Sequence, residues 1–144
     1  MVTVVRSALL PHSARQMFDL VNDIERYPSF LPNCQSARVL STSEDELVGE
    51  LCLGKAGIRQ RFVTRNHLRP PEAIDMELVE GDFSRFDARW RFESLAENAC
   101  KVTLEMDFAF RSRLIHLAAG ALFRDIAGEM VQAMAARAKT IYGP

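Results

Sequence analysis

Phe86-Asp-Ala-Arg-Trp-Arg-Phe92, then Val102-Thr-Leu-Glu-Met-Asp-Phe-Ala-Phe110, then Ser112 and a long apolar-rich run to Ile141 decide how this chain folds. Phe86, Ala88, Trp90 and Phe92 alternate with Asp87, Arg89 and Arg91, and Val102, Leu104, Met106, Phe108 and Phe110 alternate largely with charges. A period of two places one set on an apolar sheet face and the other in water. Ser112 is positioned to cap a helix from about Arg113 to Ile141, on the order of 40 Å long and able to cross a whole sheet. Leu114, Ile115, Leu117, Leu122, Phe123, Ile126, Met130, Val131 and Met134 are its expected buried face, with Arg124, Asp125, Glu129, Arg137 and Lys139 outside. Gly120 and Gly128 each cost roughly 1 kcal/mol in a helix interior, so close packing or a bend is expected there.

Upstream, alternation extends back to Gln35, with breaks near 43–45, 55–57, 69–72, 80–82 and 96–99. That spacing predicts five or six antiparallel strands in a meander. Val2 to Leu10 reads as a first strand stopped by Pro11. Ser13 and Gln16 form a capping-box signature ahead of a helix over about Ala14 to Asn22, whose stripe is Met17, Phe18, Leu20, Val21 and Ile24. Pro28 and Pro32 then bias Tyr27 and Leu31 away from helical angles and hold Tyr27, Phe30 and Leu31 on a short kinked segment, read as a lid. The order strand, helices, meander, long helix predicts an α+β fold: a curved antiparallel sheet gripping the C-terminal helix, with residues 1–144 as a single domain. Such a grip leaves an apolar cavity, the default place for a ligand.

Composition narrows the classes. With 144 residues, 48% hydrophobic and 26% charged, the chain has the make-up of an ordinary globular protein. A formal net charge of -1 is not the basic footprint that direct, sequence-specific DNA binding requires. No secretory signal order is present, and the longest nearly uncharged apolar run, Leu114 to Phe123, is too short to span a bilayer. The expected location is the cytoplasm, with transient contact at the inner-membrane surface allowed. Cys34, Cys52 and Cys100 are far apart and read as reduced structural thiols, and neither they nor His12, His67 and His116 have metal-ligand spacing.

The chain resembles a START-related family, within the polyketide cyclase and lipid transport superfamily, that contains ribosome-association toxins and mitochondrial coenzyme Q-binding proteins; the toxin branch is the closer. The resemblance rests on Leu20-Val-Asn-Asp-Ile-Glu-Arg-Tyr-Pro-Ser-Phe-Leu-Pro-Asn-Cys34, Lys55-Ala-Gly-Ile-Arg-Gln-Arg-Phe-Val-Thr-Arg-Asn66, Trp90-Arg-Phe92 and Met130-Val-Gln-Ala-Met-Ala-Ala-Arg-Ala-Lys139. It implies a helix-grip, START/Bet v 1-like fold and an apolar cavity for ubiquinone or a similar polyprenyl lipid, in support of respiration. No catalytic residues and no required cofactor are implied. For the bacterial members it implies binding to the large ribosomal subunit and interference with subunit joining. Some proteins of this fold are polyketide cyclases or aromatases, which keeps an acid–base enzyme among the alternatives. One departure stands out: Gly81-Asp82-Phe83 occupies a turn where the family usually has Gly-Pro-Phe.

The ligand-site candidates are the inward positions Leu51, Leu53, Phe62, Met76, Leu78, Phe83, Trp90, Phe92, Leu104, Met106 and Phe108, the helix residues Phe123, Ile126 and Met130, and the lid residues Tyr27, Phe30 and Leu31. Unbranched, polarizable methionines suit a flexible apolar guest and also fill ordinary cores. Gln60 and Thr64 share the register of Phe62 and need partners if buried, either a quinone carbonyl or neighbouring side chains and water. Arg59, Arg61, Arg65, Arg85, Arg89 and Arg91 face outward between Asp75, Glu77, Glu105 and Asp107, which reads as a salt-paired surface or as a ribosome-facing patch. Asp19, Asp23 and Glu25 cluster near the lid but assemble no nucleophile with its base and no converging carboxylate pair.

Overall fold

The computed structural model describes residues 2–143. Strand β1 (Val2–Leu10) leads into helix α1 (Ala14–Asn22), a 3-10 turn (Ile24–Arg26) and the one-turn helix α2 (Tyr27–Phe30). Six strands follow: β2 (Cys34–Thr42), β3 (Glu46–Lys55), β4 (Ile58–Arg69), β5 (Ala73–Glu80), β6 (Phe83–Ala96) and β7 (Ala99–Phe110). Helix α3 (Arg113–Tyr142) ends the chain. The strands form one seven-stranded antiparallel sheet in the order β1-β7-β6-β5-β4-β3-β2.

Local chemistry sets each boundary. Ser13 Oγ accepts the Gln16 N–H while Gln16 Oε1 accepts the Ser13 N–H, the reciprocal box that starts α1. Ser112 Oγ accepts the Ile115 N–H at the start of α3. Between β3 and β4, Ala56 (φ +56°) and Gly57 (φ +82°) make a tight two-residue hairpin turn with both residues left-handed. The Pro70-Pro71 bond between β4 and β5 is cis.

The sheet curves around α3, and ladder irregularities in β2, β5 and β6 add bends. At β5–β6 the ladder is incomplete. Pairing runs from Ala73↔Arg91 to Glu77↔Asp87 and stops, although β5 continues to Glu80 and β6 begins at Phe83. The tail of β5 instead follows β4, with Glu80 opposite Val63. The hairpin is therefore unzipped at its tip.

A single apolar cluster fills the space between sheet and helices, drawing Phe123, Ile126, Met130, Val131 and Met134 from α3 and Met17, Phe18 and Val21 from α1. Helix α3 packs chiefly on β1 and β7. Its glycines lie on that contact: a side chain at 128 would meet the Arg6 guanidinium at 3.2 Å, and one at 120 would meet Val2 Cγ2 at 3.6 Å. Both glycines therefore face β1, but a methyl would meet only ordinary contact at 120 and the movable end of Arg6 at 128.

Two expectations need correction. Leu114 and Leu117, assigned to the buried face of α3, are 75% and 82% exposed. At 100° per residue they fall on the side away from Ala119, Phe123, Ile126 and Met130; counting apolar residues overlooked that angle. Tyr27, expected to be non-helical before Pro28, has φ -51° and ψ -45°. Pro28 lies in the first turn of α2, where proline is tolerated and its missing N–H costs nothing. Leu31 before Pro32 is extended, with ψ 118°.

Candidate functional site

Two adjoining cavities lie between the concave face and α3. The first, about 40 Å³, is lined by Leu51, Leu53, Phe62, Met76, Phe83, Phe86, Trp90, Leu104, Met106, Phe108, Phe123, Ala127 and Met130. The second, about 30 Å³, is lined by Val21, Ile24, Tyr27, Gly49, Leu51, Thr64, Asn66, Ile74, Met76, Trp90 and Met130. Leu51, Met76, Trp90 and Met130 belong to both, so the two form one narrow chamber divided by movable side chains. Each volume holds water-sized guests, well below the roughly 150 Å³ of an apolar cavity that takes benzene. A ring-sized ligand must displace walls, and Met76, Met106 and Met130 are the side chains that yield most readily.

Aromatic rings build the outer end of the chamber. Phe83, turned inward at the β6 irregularity, stacks on Phe110 with centroids 4.8 Å apart and meets Phe86 at 5.2 Å, Phe62 at 5.8 Å and Phe108 at 6.1 Å. Phe110 continues the contact to Phe123 on α3 at 5.5 Å. Gly81 makes this approach possible: its φ is +152°, and a side chain there would come within 2.9 Å of Phe62 Cβ. The departure at Asp82 leaves the turn anchored, because the Asp82 carbonyl accepts the Arg111 N–H at 2.9 Å. Met76, Leu78 and Phe86 are half-buried near the unzipped β5–β6 tip, and Met106 is half-buried on β7.

The lid segment is firmly seated. Tyr27 is buried, its hydroxyl donates to the Val21 carbonyl at the end of α1, and burial raises its pKa well above the usual phenol value. Its ring meets Phe30 at 6.0 Å, and the Arg137 guanidinium lies 5.2 Å over Phe30. Gly49 lets the 3-10 turn settle on β3, since a side chain there would overlap Ile24 Cδ1.

The structure separates the sequence candidates. Leu51, Leu53, Phe62, Met76, Phe83, Trp90, Leu104, Met106, Phe108, Phe123 and Met130 line the first cavity, and Tyr27 and Thr64 line the second. Phe30, Leu31, Gln60, Leu78, Phe92 and Ile126 line neither. Leu31 and Ile126 are consumed by the core, Phe92 lies between Trp90 and Phe18, and Leu78 stands at the rim near Gly81. Thr64 Oγ1 donates to Asn66 Oδ1 at 2.8 Å, a neighbouring side chain rather than water. Asn66 continues the inward register of Phe62 and Thr64 along β4, and extending that period by one step finds it; Phe86 is found the same way on β6.

No carboxylate, imidazole, thiol, amine or guanidinium is among the residues lining either cavity. The acids near the lid are engaged elsewhere: Asp19 with Arg15 at 3.5 Å, Asp23 with Arg26 at 3.9 Å, and Glu25 accepting the Val39 N–H at 3.1 Å. Cys34 is buried and its thiol is pushed up to about 11, mainly by burial and then by nearby Cys52. On the outer face most arginines are ion-paired, while Arg59 donates to Gln35 Oε1 at 3.4 Å. Arg61 meets Glu50 at 2.6 Å and Glu80 at 3.5 Å, Arg65 meets Glu46 at 2.8 Å and Glu77 at 3.4 Å, and Arg89 and Arg91 share Glu105 at 3.5 and 4.0 Å. No helix among the described residues is long and apolar enough to cross a membrane.

Sheet, gripping helix and enclosed apolar chamber define a START-like helix-grip protein. A solved START superfamily protein from Mycobacterium smegmatis superposes with a TM-score of 0.74 at 19% identity, covering 96% of this chain and 98% of that one. The chain belongs to the polyketide cyclase/dehydrase and lipid transport family, whose pattern it matches over residues 10–135. The ribosome association toxin RatA of Vibrio cholerae is 47% identical over 99% of this chain and 99% of its own length. The mitochondrial coenzyme Q-binding protein COQ10 homolog B of Xenopus laevis is 29% identical over 95% of this chain and 58% of its own. The solution structure of the 18 kDa protein CC1736 from Caulobacter crescentus matches with a TM-score of 0.78 and 30% identity over the full length of both chains.

Proposed function

We propose that this chain is a non-enzymatic binding protein whose chamber takes the ring and first isoprene units of ubiquinone or a similar polyprenyl lipid, in support of respiration. The observation that carries the reading is a pair of adjoining cavities, sharing Leu51, Met76, Trp90 and Met130, whose lining has no ionisable side chain except Tyr27, and Tyr27 already spends its hydroxyl on Val21. A site of this kind has nothing with which to move a proton or attack a carbonyl, and much with which to shed water. Each methylene taken from water contributes about 0.8 kcal/mol, so a few isoprene units suffice to offset the displacement of wall side chains. The coenzyme Q-binding relative supports the same ligand class. Protein purified from its native host and examined by lipid extraction and native mass spectrometry should carry quinone. Protein that is empty and refuses added short-chain quinone refutes the reading.

A second reading is favoured by the relatives named ribosome association toxin, such as the 47% identical protein of Vibrio cholerae. On it, the chain docks on the large ribosomal subunit and blocks subunit joining from the cytoplasm. The salt-paired outer face argues for a dock other than the arginine rows of the sheet. Added protein should shift 70S ribosomes toward separated subunits in a sucrose gradient and cosediment with the large one; an unchanged profile removes this reading. Turnover of a polyketide substrate would establish the cyclase alternative instead.

A further inference from the structure

The inner end of the chamber carries a hydrogen-bonding group that the apolar-ligand reading does not use. Thr64 and Asn66 are 3% and 6% exposed, line the second cavity, and hydrogen-bond to each other across 2.8 Å. A threonine hydroxyl and a carboxamide bring three N–H or O–H donors between them, and one bond uses one donor. Whichever way the amide is turned, two remain. Trp90, which lines both cavities, adds an indole N–H that can only donate. Buried donors without partners are costly, whereas oxygen acceptors tolerate partial satisfaction. A guest that satisfies this end must therefore present an acceptor.

We propose that Thr64 and Asn66, with the Trp90 indole beside them, form a carbonyl-binding subsite that selects a ligand headed by a C=O group over one that is hydrocarbon throughout. The inference rests on the apolar-chamber reading and adds a direction to it. The carbonyl ring end is seated against β4, and the hydrocarbon tail runs past Met76 and Met130 toward the aromatic rim and the β5–β6 gap. Tyr27 is excluded from the role because its hydroxyl is held by Val21.

The test compares decylubiquinone with decylbenzene, using displacement of a fluorescent alkyl probe from the wild type, Asn66→Leu and Thr64→Val. The wild type should prefer the quinone by about tenfold or more, the worth of a hydrogen bond or two made in place of unsatisfied donors. Asn66→Leu should bring the two ligands to within about twofold of each other. Infrared spectra of carbonyl-labelled decylubiquinone give a readout that needs no variant: the C=O band of the bound ligand should move down relative to the ligand in hydrocarbon. Equal wild-type affinities with an unmoved band overturn the subsite and leave the apolar-ligand reading standing. So does a preference that survives both substitutions. If neither compound binds the wild type, the ligand reading itself falls and takes the subsite with it. Should Asn66→Leu fail to fold, Thr64→Val and the infrared band decide.

Discussion

Replacing Gly49 by alanine tests whether the roof of the chamber is built as described. The new methyl would overlap Ile24 Cδ1 and lie 3.3 Å from Leu47 Cδ2, and Ile24 is 5% exposed beside Val21 and Tyr27. Overpacking a closed core costs about 1 to 3 kcal/mol. Stiffening the unfolded chain by Gly→Ala returns about 0.4 to 1 kcal/mol. The net loss for Gly49→Ala is therefore between about 0 and about 2.6 kcal/mol. Ile24→Val deletes the overlapped carbon and alone costs about 0.5 to 1.5 kcal/mol. In the Gly49→Ala background the same deletion removes the clash and its void receives the alanine methyl, so Ile24→Val there should be neutral or stabilising. Urea unfolding followed by Trp90 fluorescence gives all four corners of the cycle. A coupling of about 1 kcal/mol or more in the favourable direction is expected. Strictly additive losses would refute the claim that Gly49 exists to seat the 3-10 turn on β3.

Three further outcomes follow from the same geometry. The Cys34 thiol is raised from its ordinary 9.0 to about 11, so above pH 9 the unfolded chain releases that proton first and stability falls between pH 9 and 11. The raised Tyr27 phenol acts in the same direction at still higher pH. Melting temperatures taken from pH 8 to 11 should decline, and Cys34→Ala should flatten the early part of that decline. Tyr27→Phe strips the donor from the Val21 carbonyl and should cost about 1 kcal/mol in urea unfolding, with an unchanged midpoint counting against the anchoring role. Glu50→Gln removes the carboxylate shared by Arg38 and Arg61, and because the Glu50 side chain is only 15% exposed the urea midpoint should fall measurably; an unchanged midpoint would reduce the outer-face pairs to solvated contacts.

Much of the architecture was readable because its signals are local. The alternation of Phe86 to Phe92 and of Val102 to Phe110, the Ser13–Gln16 box and the proline and glycine breaks each act within a few residues, and the elements follow them. Leu114 and Leu117 misled because they were counted as apolar without being projected at 100° per residue, which sets them opposite Phe123, Ile126 and Met130. Phe30 and Leu31 were readable as apolar and in need of cover. That they would be covered by α3 and the core rather than by a guest depends on packing between segments over a hundred residues apart. Asn66 was within reach of the same period-two reasoning that placed Thr64. The unpaired tip of β5–β6 was not, because it arises from strand pairing that stops short, and pairing leaves no mark on either strand alone.

That frayed hairpin has an evolutionary consequence. Backbone at residues 78–80 is bound to only one neighbouring strand, with Leu78 half-buried and Val79 and Glu80 exposed, so its length and composition can drift without unsettling the helix or the far strands. Relatives sharing this scaffold are then free to differ at a few positions of one hairpin tip while the packing between sheet and helix stays the same.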